Sequence, residues 1–166
     1  MTISSVYLQP GEWFVCDGPT AIQTILGSCV GIVMRHPHGP TCVAHCMLPR
    51  WNALPGPPGE ARFVDRCLTD MIALFDRRGL SRNQLAAMLF GGGRLLPGAA
   101  AGRMPGVGRQ NVEAALSILH REGVDIVRQD VGGNRGRKLL VLSHTGEVTV
   151  STISPLRLAS PEEAVA

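Results

Sequence analysis

Short runs rich in valine, isoleucine, threonine and cysteine dominate the first part of the chain, and glycine or proline bounds each of them. This pattern is typical of β-strands that are separated by turns. It predicts five early strands, over Val6–Leu8, Trp13–Cys16, Ala21–Leu26, Val30–Met34 and Thr41–Met47. Similar runs predict further strands over Ala86–Phe90, Asp125–Val131, Leu139–Ser143 and Val148–Ile153.

Two segments have the periodicity of amphipathic helices. Between Ala61 and Arg78, apolar residues recur at every third or fourth position, and Gly79 follows as a C-terminal cap. A second helix is predicted to begin with Asn111 as its N-cap and to end at Gly123. With about eight strands and two main helices, the pattern indicates an α/β or α+β sheet protein.

The length of 166 residues fits one domain, and no repeat or low-complexity segment divides the chain. Residues 48–60 and 95–108 are rich in proline or glycine and are predicted loops. We therefore assign residues 1–157 to a single domain and residues 158–166 to a loose C-terminal tail.

Composition excludes several classes of protein. Hydrophobic residues make up 45% of the chain and charged residues 17%, which excludes intrinsic disorder. No apolar run approaches the ~20 residues that a membrane-spanning helix needs, and we expect a cytoplasmic protein without membrane insertion. The net charge of +3 comes from scattered arginines, so we expect no nucleic-acid partner. The densest basic clusters, Arg77–Arg78 and Asn134–Lys138, are interpreted as a solvated helix end and a turn.

The five cysteines form no CxxC pair, and their number is odd. In a reducing compartment this excludes a disulfide framework and leaves a reactive thiol as an alternative. Cys29 follows the small residues Gly27 and Ser28, and we expect Gly27 to permit a tight or left-handed turn that points the thiol into a cleft.

A predicted hairpin brings this cysteine close to a histidine. A turn centred between Pro37 and His38 places Cys29 opposite Cys46, with His45 as a near neighbour on the adjacent strand. An imidazole within hydrogen-bonding reach can take the proton of a thiol and generate a nucleophilic thiolate. The alternative is structural, with Cys29 as a small buried hydrophobe and His45 as a hydrogen-bonded strand residue.

Metal and cofactor sites have weaker support in the sequence. Five potential zinc ligands lie close together, but their spacing matches no standard finger, and strand alternation sends Cys42 and His45 to opposite faces. These ligands are His36, His38, Cys42, His45 and Cys46. The glycine clusters at 91–93 and 132–133 match neither the P-loop nor the dinucleotide fingerprint. We expect tight turns there and no metal or cofactor.

Several motifs in order resemble the CheD family, the chemoreceptor glutamine deamidases of bacterial chemotaxis. The resemblance extends from about residue 5 to residue 153. The motifs that carry it are Leu26-Gly27-Ser28-Cys29-Val30, His45-x-Met47-Leu48-Pro49, Phe90-Gly91-Gly92-Gly93, Asn111-Val112-Glu113-Ala114 and Asp130-Val131-Gly132-Gly133-Asn134-Arg135. The chain departs from the family by placing arginine at 109 rather than 110 and by having Phe63 where tyrosine is common.

The resemblance implies a cysteine-dependent hydrolase on an α/β/β/α sandwich of mainly antiparallel strands. It implies Cys29 as nucleophile, His45 as general base and Thr24 as the third member of the catalytic set. Gly27 and Ser28 are expected to contact the substrate, with backbone N–H groups near Ser28–Cys29 as oxyanion donors.

The implied substrates are glutamines on the cytoplasmic coiled coil of methyl-accepting chemotaxis receptors. An alternative from the same resemblance is a non-catalytic regulatory protein that binds a CheC-type phosphatase. The residue types alone also leave a cysteine peptidase or transferase open. Because aromatic residues make up only 4% of the chain, we see no obvious interface and expect a monomer.

Overall fold

The computed structural model describes residues 2–52, 61–95 and 105–154. The predicted tail at 158–166 and most of the predicted loops at 48–60 and 95–108 lie outside the described residues, and the single-domain boundary at 157 stays a prediction. The elements are β1 (Ser4–Tyr7), β2 (Trp13–Cys16), β3 (Thr20–Leu26), β4 (Val30–Arg35), β5 (Thr41–Cys46), α1 (Val64–Arg77), a short 3-10 turn (Arg82–Gln84), β6 (Ala86–Gly91), α2 (Val107–Arg121), β7 (Asp125–Val131), β8 (Gly136–Leu142) and β9 (Glu147–Ile153).

The strands form two mixed sheets that are mostly antiparallel. One sheet has four strands in the order β1-β3-β8-β9, and the other has five in the order β2-β5-β4-β6-β7. Among the described strands, β1 pairs in parallel with β3, and β6 pairs in parallel with β7. Parallel neighbours need a crossover connection, and α2 provides the one between β6 and β7.

The two sheets pack face to face, and both helices cover the outer face of the five-stranded sheet. Strands β4 and β5 lie in the middle and are buried on both faces. One face of these strands packs against the helices, in a cluster that includes Ile32, Ala44, Leu68, Met71 and Leu119. The other face packs against the four-stranded sheet, in a cluster that includes Val33, Val43, Ile22, Leu26 and Val141.

This architecture confirms the predicted fold class, an α/β sandwich with two main helices and mainly antiparallel strands. The order of the layers differs from the expected α/β/β/α arrangement. Helices α1 and α2 contact each other and share one core cluster, so the described part of the chain forms α/β/β layers. No helix within the described ranges is long and apolar enough to cross a membrane.

The two helices end where the sequence predicts. Gly79 and Gly123 both have φ of 69°, a left-handed conformation that glycine adopts without steric cost. The start of α2 differs from the prediction, because its N-cap is Gly106. Asn111 lies within the helix and has no exposed surface. The prediction of Asn111 as N-cap is therefore wrong, and its side chain faces the core together with Gly108 and Val112.

The basic cluster at 134–138 is not wholly a solvated turn as expected. Arg137 lies in β8 and is only 7% exposed. Its guanidinium pairs with the carboxylate of Asp130 at 2.9 Å and donates to the carbonyls of Gly91 and Arg135. Because these partners offset the cost of burying the charge, Arg137 ties β8 to the end of β6.

Candidate active site

The hairpin of β4 and β5 has a register one residue away from the predicted one. Val30 pairs with Cys46, and Gly31 pairs with His45, so the prediction that Cys29 lies opposite Cys46 is wrong. A shift of one residue exchanges the faces of a strand. Continued one residue beyond the start of β4, the observed register puts Cys29 on the face that carries His45, which is the face toward the other sheet. Gly31 lies directly opposite His45, and leucine side chains fill the space above it, since a β-carbon there would lie 2.7 Å from Cδ1 of Leu26 and 3.4 Å from Cδ2 of Leu139.

This shared face points into the space between the two sheets. Cys29 packs against the hydrophobic cluster there, and His45 reaches across to β3 of the opposite sheet. The imidazole Nδ1 of His45 lies 2.7 Å from the hydroxyl oxygen of Thr24. Thr24 belongs to the inward-facing row of β3, and this row meets β5 only because the sandwich packs the two strands together.

The hydrogen bonds of Thr24 determine which nitrogen of His45 carries a proton. The Thr24 hydroxyl donates to the carbonyl of Leu8 at 2.8 Å, and a carbonyl can only accept. With its one hydrogen used, the hydroxyl accepts from Nδ1–H of His45. In a neutral imidazole, Nε2 then has a free lone pair. Among the described residues, Nε2 has no hydrogen-bond partner.

Burial keeps both groups uncharged. His45 is 2% exposed, and desolvation lowers its pKa to about 4, against a smaller opposing effect of Glu12. Burial also raises the pKa of the Cys29 thiol, and its own backbone N–H offsets part of that rise. At neutral pH the pair is a thiol and a neutral imidazole. The expected Cys29–His45 hydrogen bond is not formed here, because Nε2 has no described partner.

Hydrogen bonds to the backbone carbonyls of residues 27–29 hold the segment that carries Cys29. The carbonyl of Gly27 accepts from the N–H of Gly93 at 2.9 Å, and that of Cys29 accepts from the N–H of Gly92 at 2.8 Å. Between them, the carbonyl of Ser28 accepts from the side-chain amide of Asn111 at 3.0 Å. The backbone N–H groups of Ser28 and Cys29 donate to no other residue in the described part of the chain.

Close backbone approach explains the glycines behind this segment. A β-carbon on Gly91 would lie 2.4 Å from the carbonyl oxygen of Cys29, and Gly91 has φ of 93°. Gly91 is the last residue of β6 and Gly92 follows it with φ of 62°, so the tight turn expected at 91–93 stays a prediction. Gly27 does not have the expected left-handed conformation, since its φ is not positive. A β-carbon there would lie 2.5 Å from Cδ1 of Leu95, the end of a flexible side chain that can move aside.

The five candidate metal ligands do not converge. Within residues 2–52, 61–95 and 105–154, no group of three or more His, Cys, Asp or Glu side chains is arranged to hold a metal ion. Cys42 faces the helices, whereas His45 faces the opposite sheet. The imidazole of His36 accepts from the backbone N–H of His38, which is a turn contact.

The sequence patterns assign no role in the site to two of its contributors, Leu8 and Asn111. The carbonyl of Leu8 orients the Thr24 hydroxyl, and a backbone carbonyl has no residue signature. The sequence predicts Asn111 as a helix cap, whereas the residue lies in the buried row of α2 with Gly108, Val112 and Ala115. A polar residue within an apolar helical row is the signal that points to it.

Comparison with known proteins gives consistent matches. A sequence profile described as CheD chemotactic sensory transduction matches residues 47–152. The "Probable chemoreceptor glutamine deamidase CheD 2" of Geobacter sulfurreducens is 42% identical over 151 residues, which cover 90% of each chain. The "Probable chemoreceptor glutamine deamidase CheD" of Nitratidesulfovibrio vulgaris is 35% identical over 155 residues, covering 90% of this chain and 78% of that protein.

A protein from Albidiferax ferrireducens with the same name as the Geobacter relative is 33% identical over 153 residues, covering 91% of this chain and 88% of that protein. The profile begins after Cys29 and His45, but the pairwise matches extend over nearly the whole chain. Together with the two-sheet sandwich, these matches confirm the resemblance that the motifs indicate. The chain belongs to the CheD family.

Proposed function

We propose that this protein is a protein-glutamine deamidase, which hydrolyses glutamine side chains of chemoreceptors to glutamate and releases ammonia. The names of its relatives support this activity and substrate class. The observation that carries the chemistry is that Nε2 of His45 has no hydrogen-bond partner among the described residues and lies, like Cys29, on the side of the sheet that faces the other sheet.

In the first half of the proposed reaction, the thiol proton of Cys29 passes to Nε2 of His45 as the sulfur attacks the amide carbon of glutamine. Because burial disfavours the charged forms of both groups, this proton transfer accompanies attack rather than preceding it. The amide oxygen becomes an oxyanion, and the N–H groups of Ser28 and Cys29 stabilise it. His45 then returns the proton to the departing nitrogen, which leaves as ammonia.

In the second half, water attacks the thioester that joins Cys29 to the substrate. His45 Nε2 takes a proton from this water, the carbon–sulfur bond breaks, and the proton returns to the sulfur. The products are glutamate and the regenerated thiol. Throughout, Thr24 holds the tautomer and orientation of the imidazole as the third member of the triad. Side chains and backbone amides supply every group, so the proposed reaction uses no cofactor.

The proposed substrate site is a glutamine on the cytoplasmic coiled coil of a receptor, which would locate this protein in the cytoplasm. Gly27 and Ser28 directly precede Cys29 in the chain and would contact the reacting amide. Deamidation introduces a negative charge on packed receptor helices, where neighbouring charges three or four residues apart interact. We also propose that the protein is a monomer, with a CheC-type phosphatase as an alternative partner.

The test measures ammonia release and the amide-to-acid change in mass on a purified receptor cytoplasmic domain. Wild type and a Cys42→Ala control, which loses a thiol on the helix side of β5, are expected to be active. Cys29→Ala is expected to release no ammonia. Activity that survives in Cys29→Ala would exclude this nucleophile. A folded wild type inactive on several cognate receptors would contradict the deamidase proposal and favour phosphatase binding.

A further inference from the structure

Asn111 is a polar residue with no exposed surface in the second turn of α2. Its side-chain nitrogen donates to the carbonyl of Ser28 at 3.0 Å and to the carbonyl of Met47 at 3.0 Å. Ser28 precedes Cys29, and Met47 lies two residues after His45. One amide group therefore joins the two segments that carry the proposed nucleophile and base.

The orientation of this amide follows from its surroundings. Both neighbours are carbonyl oxygens, which only accept, so the nitrogen must face them. The oxygen atom Oδ1 of Asn111 is buried and has no hydrogen-bond partner among the described residues. A buried amide that leaves its acceptor unsatisfied retains a free-energy cost. The two hydrogen bonds that its nitrogen donates are therefore the contacts through which Asn111 acts.

The bond to Ser28 also determines where the next N–H group points. The Ser28–Cys29 peptide is trans, since no described peptide bond is cis. In a trans peptide, the N–H points away from the preceding carbonyl. With the Ser28 carbonyl directed at α2, the N–H of Cys29 is directed away from the helix. It faces the sulfur of its own residue, where it acts on the thiol.

We infer that Asn111 is a positioning residue for deamidation, which turns the Ser28–Cys29 peptide so that the Cys29 N–H faces the developing oxyanion. The inference rests on the proposed function and deepens it. Gly92 and Gly93 anchor the flanking carbonyls through backbone bonds, whereas the central carbonyl depends on a side chain. The central peptide is thus the part of the segment that a single substitution can release.

The inference predicts a defect confined to the chemical step. Asn111→Leu keeps an uncharged side chain of similar size and removes both donors. Because the loss of one oxyanion-hole donor typically reduces kcat by about 100- to 1,000-fold, we expect kcat to fall by about 10- to 100-fold for a peptide that is only mispositioned. We expect KM to stay within about threefold, because the contact acts in the transition state.

Alkylation of Cys29 by iodoacetamide supplies a second readout. Displacement of iodide forms a carbon–sulfur bond at a saturated carbon and develops no oxyanion. Its rate depends on the thiol and its base, and we expect Asn111→Leu to alkylate at the wild-type rate. A merely structural role would slow both reactions together. Leu119→Ala serves as the control, because it removes buried apolar contacts from the same helix without touching Ser28 or Met47.

The outcomes separate the inference from the proposed function. A wild type that releases no ammonia contradicts the proposed function itself. An active wild type with an Asn111→Leu variant no slower than Leu119→Ala overturns the role of Asn111 alone, as does an equal loss of kcat and alkylation rate. If the leucine variant does not fold, Asn111→Ala takes its place. Failure of both to fold would overturn the inference, because the role would then be structural.

Discussion

Replacing Thr24 with valine tests the link between the two sheets at the site. Valine has nearly the shape of threonine but no hydroxyl. The hydroxyl donates to the Leu8 carbonyl at 2.8 Å and accepts from Nδ1 of His45 at 2.7 Å. The substitution therefore leaves one buried acceptor and one buried donor without partners, since Leu8 and His45 are each 2% exposed.

The expected magnitudes follow from these two lost bonds. Each buried polar group left unpaired costs about 1–3 kcal/mol, so we expect the free energy of unfolding to fall by about 2–6 kcal/mol. For activity, the imidazole loses the bond that favours a proton on Nδ1 and a lone pair on Nε2. We expect the transition state to lose about 1.4–2.8 kcal/mol of stabilisation, because the tautomer and orientation of the imidazole are no longer held. This loss lowers kcat by about 10- to 100-fold.

Urea unfolding measures the first effect, and ammonia release from a receptor domain measures the second. Thr24→Ser is the matched control, because it retains the hydroxyl and loses only a methyl group, worth about 1 kcal/mol. We expect the serine variant to keep kcat within about fivefold of wild type. The reasoning is refuted if valine and serine variants have the same kcat, or if valine lowers the unfolding free energy by less than serine does.

Two further predictions concern the pH response and the approach of α2 to the site. The low pKa of His45, about 4, predicts that kcat/KM stays constant from neutral pH down to about pH 5 and falls near pH 4, where Nε2 gains a proton. Between pH 6.5 and 4 the unfolded chain binds a proton at this position and the folded chain does not. Stability therefore decreases as pH falls, by at most about 3 kcal/mol, and a His45→Gln variant in urea melts should lose that slope. Gly108→Ala places a β-carbon 2.5 Å from the carbonyl oxygen of Gly93 and should lower the unfolding free energy by about 1–3 kcal/mol. Gly106→Ala, which meets no described atom within 4 Å and changes only the N-cap of α2, should change it by less than about 1 kcal/mol, and a larger loss at Gly106 than at Gly108 would contradict this account.

The elements themselves were accessible from local patterns. Strands with one buried face alternate apolar and polar residues, and strands buried on both faces are apolar throughout. Left-handed glycines at 79 and 123 follow the ends of both helices, as predicted. Strands β2 and β7 have the predicted bounds. These features depend on neighbouring residues in the chain, so the sequence reports them directly.

For the candidate site, the sequence predicts which residues take part but not how they are arranged. Cys29, His45 and Thr24 were identified from motifs, and their catalytic roles stay predictions. Their arrangement was not accessible, because a hairpin register one residue away from the predicted one exchanges the faces of a strand. Composition locates the turn between Arg35 and Thr41 but does not determine its register to a single residue.

By itself, the sequence determined the family, the strands and helices, and the residue types that can carry cysteine–histidine chemistry. Only the tertiary structure decided that Thr24 reaches His45 across two sheets and that Asn111 binds the Ser28 carbonyl from 83 residues away. Local propensity acts over a few residues, whereas such contacts form when whole layers pack. The polar groups then pair because burial makes an unsatisfied donor or acceptor costly.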